Sequence, residues 1–200
     1  MSSEWISAIA GLAGAVIGGL CTLMGVKKQL AAGTADQKRR EASHHRAILQ
    51  ALHDELETVA EVYKSSIGNQ IGALPKGQPF FYFWPVSSEY FGIYHSNAVF
   101  IGHLKDNDLR KALVQTYTYA KALIDSFRLN NAFVEKHQQA ALITNQAPTD
   151  TNKHMLNAAY QQLVSYAETL QESHKRFERN IEDTLRRLRK AGVLTESDSH

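Results

Sequence analysis

The stretch TNKHMLNAAYQQLVSYAETLQESHKRFERNIEDTLRRLRKA, residues 151–191, decides the fold. Leu156, Tyr160, Leu163, Ala167, Leu170, His174, Phe177, Ile181, Thr184 and Leu188 alternate by four and three positions, which sets them along one side of a helix. Held for about five heptads, that stripe is a coiled-coil seam and needs a second helix to cover it. Gly192 is placed to cap the C-terminus, and residues 193–200 are expected to form a flexible tail.

The covering helix lies immediately upstream. After the DND turn at Asp106 a helix is expected to run to about Thr144, with Asp106 or Asp108 as its cap. Leu109, Leu113, Ala120, Leu123, Phe127 and Val134 form its heptad-like stripe, interrupted by Thr116 and Asn130. The connector NQAPTDTN, residues 145–152, is short, so the two long helices must be antiparallel neighbours. A turn centred near Pro148 then puts His137 opposite Tyr160 and His174 opposite Leu123, which makes both histidines core or rim residues rather than joint metal ligands.

Further upstream, Leu49, Leu52, Leu56, Val59 and Tyr63 mark a helix from about Asp36, its expected N-cap, to Ile67. A shorter helix is expected over Ser87–Leu104, with Gly102 allowing two helices to approach. Between them Gly68, Gly72, Pro75, Gly77, Pro79 and Pro85 break the helical pattern. That break contains FFYFW, residues 80–84. We expect it to plug the end of the bundle; the alternative is an exposed docking surface made by Phe80, Phe81, Phe83 and Trp84 for an unknown cytoplasmic protein partner.

At the N-terminus stands WISAIAGLAGAVIGGLCTLMGV, Trp5–Val26, an uncharged run long enough to span a bilayer as a helix. MSSE before it carries no base, unlike the start of a cleaved signal peptide. Lys27, Lys28, Lys38, Arg39 and Arg40 follow it, so the N-terminus is expected outside and the body inside a bacterial inner (cytoplasmic) membrane, with these bases at the lipid headgroups. Ala10, Gly14 and Gly18 recur every four residues, as do Ser7, Gly11, Ala15 and Gly19 one step round the helix. Such faces let backbones pack closely in lipid and predict a homo-oligomer. Ser7, Cys21 and Thr22 are the only candidates to line a pore. The expected organisation is all-α: a transmembrane anchor over residues 1–31, an elongated cytoplasmic antiparallel helical bundle with coiled-coil-like packing over 32–192, and the tail. If Gly33 does not break the chain, the anchor helix continues into the bundle.

Composition narrows the function. The 200 residues carry a net charge of only +2, so no general affinity for polyanions is implied and nucleic acid is not an expected partner. The single cysteine, Cys21, excludes a disulfide framework. Phosphate-binding loops, HExxH, GxSxG and zinc-binding cysteine pairs are lacking, so no catalytic residue, cofactor or metal is expected. His44 and His45 are adjacent and diverge on a helix. Arg39 with His44, and Arg40 with His45, resemble the arginine–histidine spacing of the HEPN ribonucleases, although here the motif follows the apolar run instead of lying inside a bundle. RRLRK, Arg186–Lys190, suits a helix C-terminus, where cations meet the dipole and the last carbonyls.

From Tyr90 to Phe127, with Asn97, Gly102, Asp106, Asp108, Arg110 and Tyr117, the layout resembles that of bacterial single-pass inner-membrane helical proteins of unknown function. That resemblance implies a membrane-placed component of a defence or stress system, such as defence against phage, and supplies no catalytic residue. The leading expectation is a non-enzymatic, membrane-anchored interaction or scaffold protein that self-associates through its glycine-rich span. A depolarising membrane effector and a HEPN-like nuclease are the alternatives.

Overall fold

A computed structural model of the chain describes residues 24–30, 33–85 and 90–192 in full, and the helical backbone alone of residues 2–23, 31 and 32. The described residues form helices and loops, with no strand among them. In order these are α1 (Ser2–Tyr63), a π-helical turn (Lys64–Gly68), α2 (Asn69–Gly72), α3 (Gly92–Ser96), α4 (Ala98–Gly102), α5 (Asn107–Gln146) and α6 (Asp150–Lys190). The chain divides into two compact units, Met1–Ala47 and Ile48–His200.

In the larger unit α5 and α6 form the expected hairpin. Asp106 caps α5, its carboxylate accepting from the amides of Asp108 and Leu109, both at 2.9 Å. Thr149 caps α6 by accepting from Asn152 N at 3.2 Å. Gly192, at φ 86°, ends α6 in the left-handed region where glycine carries no steric cost. The hairpin register agrees with the sequence: the His137 and Tyr160 rings face each other at 6.2 Å. Leu109, Leu113, Ala120, Leu123, Phe127 and Val134 are buried against Leu163, Ala167, Leu170, Phe177, Ile181 and Leu188.

Thr116 and Asn130 do not interrupt the seam. Both are fully buried; Thr116 bonds across the seam to α6, and Asn130 bonds out of it to the 80–84 segment. The Thr116 hydroxyl donates to Asn180 O at 3.1 Å and lies 2.8 Å from that of Thr184. Asn130 Nδ2 donates to Tyr82 O at 3.1 Å.

Within this unit the last part of α1 lays Leu52, Leu56 and Tyr63 into the core, with Ile48, Leu49, Val59 and Ala60 packed beside them. The π turn and α2 continue the stripe through Ile67 and Ile71. Gln171 closes that end by donating to the carbonyls of Ile71 at 3.2 Å and Leu74 at 2.8 Å.

Four sequence expectations are corrected. Asp36 is not an N-cap, because α1 runs through it and through Gly33; one exposed glycine costs a helix only about 1 kcal/mol, too little to break it. The expected Ser87–Leu104 helix is two short ones, separated at Asn97, whose Nδ2 takes the Ile93 carbonyl at 2.8 Å; its expected start at Ser87 lies outside the described residues. Gly102 has no atom near the position of a Cβ, so it brings no helices together. FFYFW does not plug the end of the bundle but lies along the flank of α5 near its midpoint, held by Asn130 and Asn131.

Candidate functional site

Trp84 is fixed by its backbone before its ring packs. Its N–H donates to Asn131 Oδ1 at 3.1 Å and its carbonyl accepts from Asn131 Nδ2 at 2.7 Å, so one amide side chain replaces a strand partner. The indole then meets the Phe127 ring edge-on at 4.8 Å and the Tyr63 ring at 6.0 Å. Tyr63 in turn meets Phe177 at 5.4 Å, nearly perpendicular. Trp84, Tyr63 and Phe177, with Val59, Phe91 and Leu123, wall a cavity of about 160 Å³.

Behind the cavity Tyr63 enters a buried polar chain. Its hydroxyl is 2.7 Å from His174 Nδ1, and His174 Nε2 is 3.2 Å from a Glu178 carboxylate oxygen. A carboxylate can only accept, so Nε2 carries the imidazole proton and Nδ1 accepts from the tyrosine hydroxyl. Burial raises the Tyr63 phenol well above its ordinary range, reinforced by Glu178, and the hydroxyl therefore stays protonated. Burial lowers His174, outweighing the opposite pull of Glu178.

Two glycines make room for this chain. A Cβ on Gly72 would stand 3.2 Å from His174 Nε2, and one on Gly68 would stand 3.0 Å from the Tyr63 ring. The π turn brings both into place. Segments of this kind often accompany functional positions in helices.

A second polar focus is Glu55. Its carboxylate accepts from the amides of Ile93 at 2.7 Å and Tyr94 at 3.1 Å, and from the Tyr117 hydroxyl at 2.7 Å. The start of α3 is thereby capped from α1 instead of by its own N-cap, Phe91, which has φ 77°. Tyr94 and Tyr117 stack at 3.8 Å beside it, and burial raises the Tyr117 phenol, with Glu55 adding to the shift.

A third cluster joins His53, Asp54 and Glu57, whose ligand atoms lie within 4.8 Å of one another. Arg189 already supplies the cation. Its Nε donates to His53 Nε2 at 3.3 Å and its Nη2 to Glu57 at 3.1 Å, leaving the His53 Nδ1 proton for Asp54 at 3.3 Å. The cluster is an ion-pair network tying α6 to α1 within the larger unit.

The residues singled out from sequence are distributed as follows. Phe80 is fully buried and Trp84 packs on the core, whereas Phe81 and Phe83 are 45% and 54% exposed; the docking candidate therefore separates into two structural residues and two surface ones. Lys27, Lys28, Lys38, Arg39 and Arg40 are exposed, as are His44 and His45, all in the Met1–Ala47 unit. The side chains proposed for oligomerisation, Ala10, Gly11, Gly14, Ala15, Gly18 and Gly19, lie outside the described residues, although the backbone there is helical. Among the described residues no helix is long and apolar enough to cross a membrane. Most of the Trp5–Val26 run lies beyond those residues. Of the RRLRK bases, Arg186 and Arg187 pair with Asp183 one turn back, and Arg189 reaches α1.

Sequence reasoning missed Glu55, His53, Glu57 and Glu178, and gave Tyr63 and His174 no partner. The available signal was chemical: a histidine at a seam position with a glutamate four residues later pairs on one helix face. No family model, curated protein or solved structure matches this chain.

Proposed function

We propose that this protein is a non-enzymatic, membrane-anchored helical interaction protein. It self-associates through its N-terminal apolar run and offers its helical bundle to a cytoplasmic partner. One observation carries the reading. Over residues 24–30 and 33–47 every side chain of α1 is exposed, including Met24 at 69%, Val26 at 47% and Leu30 at 63%. Isolated helices gain little stability in water, and most draw it from packing of an apolar face. A helix with this much bare apolar surface, continuing from an uncharged run, calls for lipid or a second copy around it.

The charge pattern supports the same reading. Lys27 and Lys28, then Lys38, Arg39 and Arg40, follow the run on its C-terminal side, where bases interact with anionic headgroups at about 1 kcal/mol each. They favour an outside N-terminus.

The test is extraction and self-association in cells. The chain should stay with membranes through an alkaline carbonate wash and give cross-linked oligomers that the double variant Gly14→Leu, Gly18→Leu loses. Release by carbonate would overturn the anchor, and unchanged cross-linking of the double variant would overturn the association face.

A further inference from the structure

We propose that the cavity behind Trp84 is a binding site for a small, uncharged aromatic molecule of one or two rings. Its volume of about 160 Å³ is close to that of engineered protein cavities that take up benzene and stay dry when empty. Val59, Tyr63, Trp84, Phe91, Leu123 and Phe177 make most of its walls, and the polar side-chain atoms of the lining are the Trp84 indole nitrogen and the hydroxyls of Thr58, Tyr63 and Tyr90. Of these, the Tyr63 hydroxyl is committed to His174 at 2.7 Å. Water held in the cavity would lie against mostly apolar surface, which supplies few of the two to four partners it needs.

The same walls exclude charged and strongly polar ligands. An ion brought here would lose its hydration with no opposite charge in the lining to replace it. Aromatic ligands gain where aliphatic ones do not. Tyr63 and Trp84 are tilted to one another at 59°, and Tyr63 and Phe177 at 86°, so the lining presents both ring faces and ring edges. A guest ring finds offset and edge-on partners at the separations aromatic pairs prefer.

The cavity has an entrance and a fixed frame. Val62 belongs to its lining and is 53% exposed, marking the side from which a guest enters. The frame is held independently of any guest. Asn131 fixes the Trp84 backbone on one side, and Gly72 and Gly68 seat the His174–Tyr63 pair on the other. A guest would therefore meet a preformed pocket, which reduces the ordering cost of binding.

The chain contains two tryptophans, Trp84 in the cavity wall and Trp5 in the N-terminal run. Full-length protein labelled with 5-fluorotryptophan and reconstituted in lipid nanodiscs gives one fluorine resonance for each. Titration with indole should move the Trp84 resonance saturably, while Trp5 reports partition of indole into lipid. Ala120→Leu fills the cavity from its floor, and Val62→Arg puts a charge at the exposed rim without touching the core. Each should weaken the Trp84 response by about tenfold or more. A Trp84 resonance that does not move, that drifts without saturation in parallel with Trp5, or that saturates equally in the Val62→Arg protein would overturn the site. Hexane displacing indole at lower free concentration than indole itself requires would overturn its aromatic preference.

Discussion

The Tyr63 hydroxyl lies 2.7 Å from His174 Nδ1, joining residues 111 positions apart in sequence. The bond connects the end of α1 to the seam of α6, and it makes the buried imidazole depend on staying neutral. Protonated His174 would present a hydrogen at Nδ1 where it now accepts one.

Acid should therefore weaken the larger unit through this residue. Burial holds the folded His174 below its ordinary value of 6.5, so as pH falls through 6.5 the unfolded chain takes up a proton that the folded one refuses. Stability should decline from there down to the depressed folded value, below which this contribution levels off. His174→Gln should flatten that part of the curve, measured as denaturation midpoint against pH. An identical slope in the variant would mean another group is responsible.

Gly72→Ala tests the close approach from the other side. Its Cβ would stand 3.2 Å from His174 Nε2, which has no slack because Nδ1 is tied to Tyr63. The expected loss is about 1–3 kcal/mol in chemical denaturation. Most of it should vanish when the same change is made in a His174→Ala background, giving a clear coupling in the double-mutant cycle.

Glu55→Ala removes the carboxylate that two α3 amides and Tyr117 share. Loss of about 1–3 kcal/mol is expected, since a buried donor is left unmet. Hydrogen exchange should quicken first at the Ile93 and Tyr94 amides. Tyr117→Phe should leave those two amides protected.

The aromatic pentad should divide by burial. Phe80→Ala empties a fully buried position and should cost about 3–5 kcal/mol. Phe81→Ser and Phe83→Ser alter exposed rings and should shift stability by no more than about 0.5 kcal/mol. A thermal melt separates the two classes directly.

The long hairpin was legible because its information is periodic. Nearly every position on the α6 stripe is buried, and Pro148 alone located the turn well enough to pair His137 with Tyr160. Thr116 and Asn130 were misjudged as gaps because hydropathy does not show their hydrogen-bond partners, Asn180 and Thr184 across the seam for Thr116 and the Tyr82 carbonyl for Asn130. The site was mostly illegible for a related reason. Tyr63, His174 and Glu178 meet through tertiary packing, and only the last two share a helical spacing. Glu55 looked like one more solvated charge until the α3 amides were placed beside it.

Residues 64–68 change how insertions and deletions would act on this chain. In a regular helix, Tyr63, Ile67 and Ile71, spaced by four, would each drift about 40° from the last, because four residues overshoot a full turn. The wider π turn over Lys64–Gly68 accommodates that spacing, and Ile67 and Ile71 stay buried. Deleting one residue there would restore ordinary winding, yet swing Ile71 and Gly72 away from His174 like a misindexed gear. The exposed stretch Lys64–Ser66 therefore acts as a phase-setter, where the number of residues matters more than their identity.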